Sequence, residues 1–138
     1  MRLWHYSLIS KLPRQQLLGQ HRECCALRGN GWGKKHSIVN YVFDHPYYHL
    51  FLYHQMVMNE MERRGFHVCW TWKNGSYRGK TIGYDNSKFT QLNFPKTWNM
   101  IDEICGYPQK VYFEHDDGYL KECFENLKRK GIVFHDGK

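Results

Sequence analysis

Apolar positions recur every three to four residues over three stretches of the chain, and each stretch predicts a helix with one face turned to a core. The first, about Pro13 to Leu27, carries Leu17, Leu18, His21, Cys24, Cys25 and Arg28 on one stripe, with Arg28 expected to emerge at the helix end. Proline fits the first helical position, where a missing N–H costs nothing, and Gly29 stands near the stop. Glu23 then falls almost opposite the stripe, on a face shared with Gln16 and Gln20, and Arg22 lies on the flank. The second helix, about Pro46 to Arg64, follows Asp44 as a candidate cap and puts Tyr47, Leu50, Phe51, His54, Val57, Met58 and Met61 on one side. Arginines in its last turn suit the negative end of the helix dipole, and Gly65 suits a left-handed cap. The third, about Asp117 to Lys130, repeats Leu120, Cys123, Phe124 and Leu127 and ends in "KRKG" by the same logic.

Residues 66 to 113 follow no such period. An Asn74-Gly75 pair between aromatic flanks predicts a hairpin, and a short helix is expected around Thr97 to Cys105. The expected fold is therefore mainly α: a compact single-domain bundle over residues 1–138, with about three main helices and a long irregular insertion that contains the candidate hairpin. A loosely ordered insertion in so short a chain points to a binding surface.

Composition narrows the chemistry. The chain has 138 residues, enough for one hydrophobic core. Its 20 Lys and Arg against 13 Asp and Glu give a net charge of +7, which suits a polyanionic partner, although solubility alone also accounts for it. No run of about 18 apolar residues occurs and the N-terminus lacks a signal-peptide core, so the expectation is a cytoplasmic protein with no membrane association. Five cysteines without a CxxC pair argue for free thiols in a reducing compartment.

Candidate chemistry gathers in "HRECCALRGNGWGKKH", His21 to His36. A phosphate-binding P-loop needs glycine, four residues, then Gly-Lys-Ser/Thr; here Arg28 stands where the first glycine belongs and Lys35 where the hydroxyl belongs. That reading is excluded. Glycines 29, 31 and 33 still permit close backbone approach, and Lys34 and Lys35 make a phosphate the natural object of it; a flexible turn with solvated charges is the alternative. His21 with Cys24, or His45 with His49, has a spacing that can supply two metal ligands, but no second pair is diagnostic and no metal is expected. His21 and His54 read as core or partly buried histidines.

The run "LISKLPRQQLLGQHRE", with its Leu-x-Ser-x-Leu entry and Arg22-Glu23, resembles the first helix of the pyrimidine dimer DNA glycosylase family of endonuclease V type. The similarity runs without a gap from Met1, continues from His36 through "YHLFLYHQMVMNEMERRGF", and is greatest to short bacterial members that share "MRLWHYSL" and "LRGNGWGKKH". It covers residues 1 to 67 well and the third long helix loosely.

The resemblance implies an all-helical protein that cuts the glycosidic bond of a pyrimidine dimer and then the DNA backbone, with an N-terminal α-amine as nucleophile and one helix-borne glutamate. By this resemblance the glutamate is Glu23 and the adjacent arginine Arg22. The large side chain of Arg2 predicts that the initiator methionine stays, which puts the free amine on Met1; removal would put it on Arg2. An α-amine has a pKa of about 7.7 to 8.0, so a useful fraction is neutral near pH 7. Trp32 is a candidate wedge, and Arg28, Lys34, Lys35 and His36 are candidate DNA contacts. The expected partner is damaged or modified double-stranded DNA, bound by a monomer without a cofactor. Two other readings stand beside this one: a nucleic-acid-binding protein without catalysis, in which Arg22, Arg28, Lys34 and Lys35 hold phosphates, and a protein-interaction module built on the aromatic middle section.

Overall fold

The computed structural model describes residues 2–34, 38–85 and 110–132. Among these the chain is mainly helical and has no strand. Four α-helices, Arg14–Arg28 (α1), Tyr47–Arg63 (α2), Gly79–Ile82 (α3) and Asp117–Arg129 (α4), alternate with 3-10 segments at Tyr6–Lys11, Asn40–Asp44 and Trp70–Lys73. The three long helices match the apolar period to within one residue at each end. The short helix expected at Thr97 to Cys105 lies outside the described residues, as do Met1, Lys35 and His36.

α2 is the centre of the fold. The expected stripe from Tyr47 to Met61 is buried, but so are Tyr48, Leu52, Tyr53, Met56 and Glu60, so the helix is covered on nearly all sides. The one-sided expectation fails because α1 and the Tyr6–Lys11 segment pack on α2, while the Tyr112 ring lies tilted against those of Tyr53 and His49. Fully burying a leucine such as Leu50 contributes roughly 1.5–3 kcal/mol, and ten buried apolar and aromatic side chains hold the helix in place. Pro46, with no side-chain cap, starts the helix where Asp44 had been expected to cap it. At the other end Gly65, at φ 84°, directs its N–H to the Glu62 carbonyl and leads Phe66 to the Met61 carbonyl, the paired bonds of a left-handed helix stop.

Arg28 overturns an expectation. It does not emerge from α1; it is fully buried. Its five N–H donors are all engaged: Nε on the Tyr47 hydroxyl, Nη1 on His54 Nδ1 and the Trp72 carbonyl, Nη2 on the carbonyls of Asn74 and Tyr77. The faces of Phe51 and Trp72 lie 5.2 and 4.9 Å from the guanidinium carbon. A cation with no carboxylate partner among the described residues is thus compensated by oriented dipoles and π faces.

The segment after α2 is shaped by this anchor. Asn74 Oδ1 accepts from the backbone and hydroxyl of Ser76, and Tyr77 N–H donates to the Asn74 carbonyl, so the Asn74-Gly75 turn exists. The hairpin does not form around it. A single antiparallel bridge joins Tyr77 to Tyr84 across α3, because the carbonyls of Trp72, Asn74 and Tyr77 face Arg28. Arg78 locks the other side, donating to the carbonyls of Arg28 and Gly29. A Cβ at Gly29 would stand 2.8 Å from the Arg78 carbonyl oxygen, so close approach requires glycine here; its φ is −92°.

Candidate active site

Glu23 lines a cavity of about 240 Å³ between α1, the N-terminal segment and the end of α4. Its neighbours there include Arg2, Trp4, Gln20, Ile38 and Lys130. Helical spacing put Glu23 on a polar face, and the structure refines this: the residue is half-buried, one turn after a fully buried Gln20. Burial pushes the Glu23 carboxyl up from its usual range, opposed by nearby positive charge, including Lys130 and Arg22, and by a hydrogen bond from the Arg2 backbone. Gln20 Nε2 donates to Glu23 Oε1 at 3.1 Å. The site therefore holds a carboxylate able to exchange a proton nearer neutrality than an ordinary glutamate, close to the start of the chain.

Arg2 reaches across the site. Its guanidinium pairs with Glu122 on α4 at 2.8 Å and lies over the rings of Trp4 and Tyr119 at 5.9 and 5.6 Å. Gln20 ties down the backbone on either side of Leu3, and the Tyr119 hydroxyl donates to the Leu3 carbonyl at 2.5 Å. Residues 2 to 4 are thereby fixed against α1 and α4.

The other candidates divide. Arg22 is exposed on the flank of α1, and Lys34 is exposed beyond the glycine-rich loop. Trp32 does not project as a wedge: it packs edge-on against Phe43 and Tyr47 at 5.1 and 5.3 Å. Arg28, with every donor turned inward, is withdrawn from the candidate phosphate contacts. The loop after it is a succession of tight turns in which the N–H groups of Gly29, Gly31, Trp32 and Lys34 bond to protein carbonyls, which takes those donors from a phosphate.

Among the described residues one group brings together three possible metal ligands, His21, Cys25 and His54, with ligand atoms within 4.8 Å of one another. The hydrogen bonding assigns its protons. Arg28 donates to His54 Nδ1, so His54 carries its proton on Nε2 and presents it to His21 Nδ1 at 2.8 Å; His21 Nε2–H then faces Cys25 Sγ at 3.8 Å. A metal-bound histidine needs a lone pair on one nitrogen and donates from the other, the reverse of what a cationic donor at Nδ1 permits. The cluster is a directed hydrogen-bond chain that supports Arg28.

Comparison with known proteins gives the site its context. A family model described as pyrimidine dimer DNA glycosylase matches residues 1–74, more than half of the chain. The chain belongs to the pyrimidine dimer DNA glycosylase family. No curated protein and no solved structure matches it. The matched span holds Arg2, Gln20, Arg22 and Glu23, and it contains α1, α2 and the anchor at Arg28. In this glycosylase-family chain the sequence reading had missed Gln20, Ile38 and Lys130 as parts of the cavity. Gln20 carried one signal, its position three residues before Glu23 on the same face; Ile38 and Lys130 are distant in sequence and carried none.

Proposed function

We propose that the protein is a DNA glycosylase with associated AP-lyase activity, acting on damaged or modified duplex DNA in the cytoplasm through an imine on its N-terminal α-amine. The observation that carries this reading is the Glu23 carboxylate in a cavity that it shares with Arg2, the two joined through the Gln20 amide. If the first methionine is retained, its amine is separated from the Arg2 backbone nitrogen by two carbon atoms, a distance of no more than about 4 Å. If it is removed, the amine is the Arg2 nitrogen itself. Either way the amine belongs within about 4 Å of the Arg2 nitrogen, on a segment that shares the cavity with Glu23.

The amine attacks C1′ of the damaged nucleotide, forming a C–N bond as the glycosidic bond breaks and the base leaves with the electron pair and takes up a proton. Opening of the sugar ring gives a C1′ iminium. Loss of a C2′ proton then expels the 3′ phosphate. Glu23 is the group for these proton movements and for the transient positive charge at the sugar, and its raised carboxyl suits it to both. Arg22, Lys34 and Lys130, all exposed, are the phosphate contacts. Extruding the nucleotide costs a few kcal/mol, and a lesion that stacks poorly lowers that cost.

Borohydride added during reaction with damaged or abasic duplex DNA reduces the iminium to a stable amine, so protein should become covalently attached through its first residue, as mass spectrometry of the cross-linked peptide would report. DNA binding without any trapped product on any lesion would leave a binding protein without catalysis.

A further inference from the structure

The proposed chemistry needs the α-amine and the Glu23 carboxylate in fixed register, and one side chain touches the structure on both sides of that gap. Gln20 is fully buried on α1. Its Oε1 accepts the Trp4 N–H at 2.7 Å, and its Nε2 donates to the Arg2 carbonyl at 2.9 Å and to Glu23 Oε1 at 3.1 Å. The Arg2 carbonyl and Trp4 N–H flank Leu3, so the amide pairs with them as a residue of a neighbouring parallel strand would. Those two backbone groups also settle which end of the amide is which, because a flip would oppose oxygen to oxygen and N–H to N–H at once. With one Nε2 hydrogen on Arg2, the other is left for Glu23. The Tyr53 hydroxyl, 2.5 Å from the Trp4 carbonyl and 2.9 Å from Gln20 Oε1, shares its single proton between them and braces the arrangement from α2.

We propose that Gln20 is a positioning residue for the reaction: it sets the register between the N-terminal segment and Glu23, and it holds the Glu23 carboxylate through a hydrogen bond to its ionised form. This rests on the glycosylase and lyase reading above. A buried glutamine that served folding alone would satisfy itself on backbone groups; this one gives half of its donor capacity to the carboxylate that lines the cavity. Donation to the charged form keeps Glu23 ionised at lower pH than burial alone would allow.

Two measurements on the full chain test it. In the unsubstituted protein, the Gln20 side-chain amide is followed by proton–nitrogen NMR from about pH 3 to 8, the range in which a perturbed carboxyl titrates. One N–H resonance should move with a single titration and the other stay nearly fixed; the movement should vanish in Glu23→Gln. An amide that ignores pH, or that titrates unchanged in Glu23→Gln, overturns the proposal. The second measurement is the pH dependence of single-turnover cleavage of abasic duplex DNA by Gln20→Glu and Gln20→Met. Gln20→Glu keeps an acceptor for Trp4 but sets a carboxylate beside Glu23, so the acid limb should move up by about one pH unit, a fall of about tenfold at a fixed pH on that limb. Gln20→Met should shift it in the same direction. A residue needed only for folding would lower the fraction of protein trapped by borohydride and leave the limb in place, which would also overturn the proposal. If either variant fails to fold, the NMR titration decides alone. An unsubstituted protein that neither cleaves nor traps removes the glycosylase reading on which the role depends, whereas active protein with an unmoved limb removes only the role of Gln20.

Discussion

Glu23 and Arg28 lie on the same helix and show how differently two charged residues can be treated. Glu23 is half-buried with its carboxyl raised by burial, so removing its charge relieves a desolvation cost. Glu23→Gln should be as stable as the parent or slightly more so in urea titrations at pH 7, while base excision and strand cleavage fall by about 10² or more in single-turnover assays. A variant that cuts as fast as the parent would mark Glu23 as a bystander. Arg28 is the opposite case. Arg28→Lys keeps a positive charge but loses the planar fork and leaves several of the carbonyls of Trp72, Asn74 and Tyr77 without a donor. At about 1–3 kcal/mol for each group left unpaired, the loss should reach about 3 kcal/mol or more, read as a lowered thermal or urea midpoint.

Among the elements, the glycines within and just after α1 separate packing from cavity shape. A Cβ at Gly29 would press on the Arg78 carbonyl, so Gly29→Ala should cost about 2 kcal/mol by overpacking. Gly19 lies inside α1, where a Cβ would meet only the tip of Arg22 at 3.8 Å, and it lines the cavity of Glu23. Gly19→Ala should therefore raise stability by about 0.5–1 kcal/mol through helix propensity while it narrows the site and slows cleavage. A stabilised variant with undiminished cleavage would show that the cavity wall at Gly19 is not in contact with DNA. The long helices were legible because their period, prolines and terminal glycines all agree locally. Burial all round α2 was not, since it depends on Tyr112 and the N-terminal segment arriving from far away in sequence. Arg28 reads as surface on charge alone, and Gln20 reads as polar decoration until Arg2, Trp4 and Tyr53 are seen to satisfy it. Glu23 was legible through the family pattern around it, but its partial burial was not.

For the whole molecule, histidines govern the response to acid. Burial, with nearby positive charge, holds His54 well below its usual range and His115 at about 3; His5, His21 and His49 are lowered as well. Each stays neutral in the folded chain at pH values where the unfolded chain is protonated, so the unfolded state binds more protons as pH falls below about 6.5. Stability should accordingly decline from about pH 6.5 toward pH 3, by up to about 1.4 kcal/mol per pH unit for each fully buried histidine. The raised carboxyl of Glu23 acts in the other direction, but it is one half-exposed group. Urea midpoints at pH 7 and pH 4.5 check this; equal midpoints would mean that the histidines protonate in place.

The five-donor anchor at Arg28 also sets how the molecule can breathe. A guanidinium cannot shed its charge, so the Trp72–Tyr77 segment cannot lift away without stranding a cation inside the α1–α2 pair. Partial opening of that segment is therefore nearly as costly as opening the helices beneath it. In native-state hydrogen exchange the amides of Tyr77 and Arg78, bonded to the carbonyls of Asn74 and Gly83, should exchange as one cooperative unit with the last turns of α1, although they lie between two short helical segments, Trp70–Lys73 and α3, and outside both.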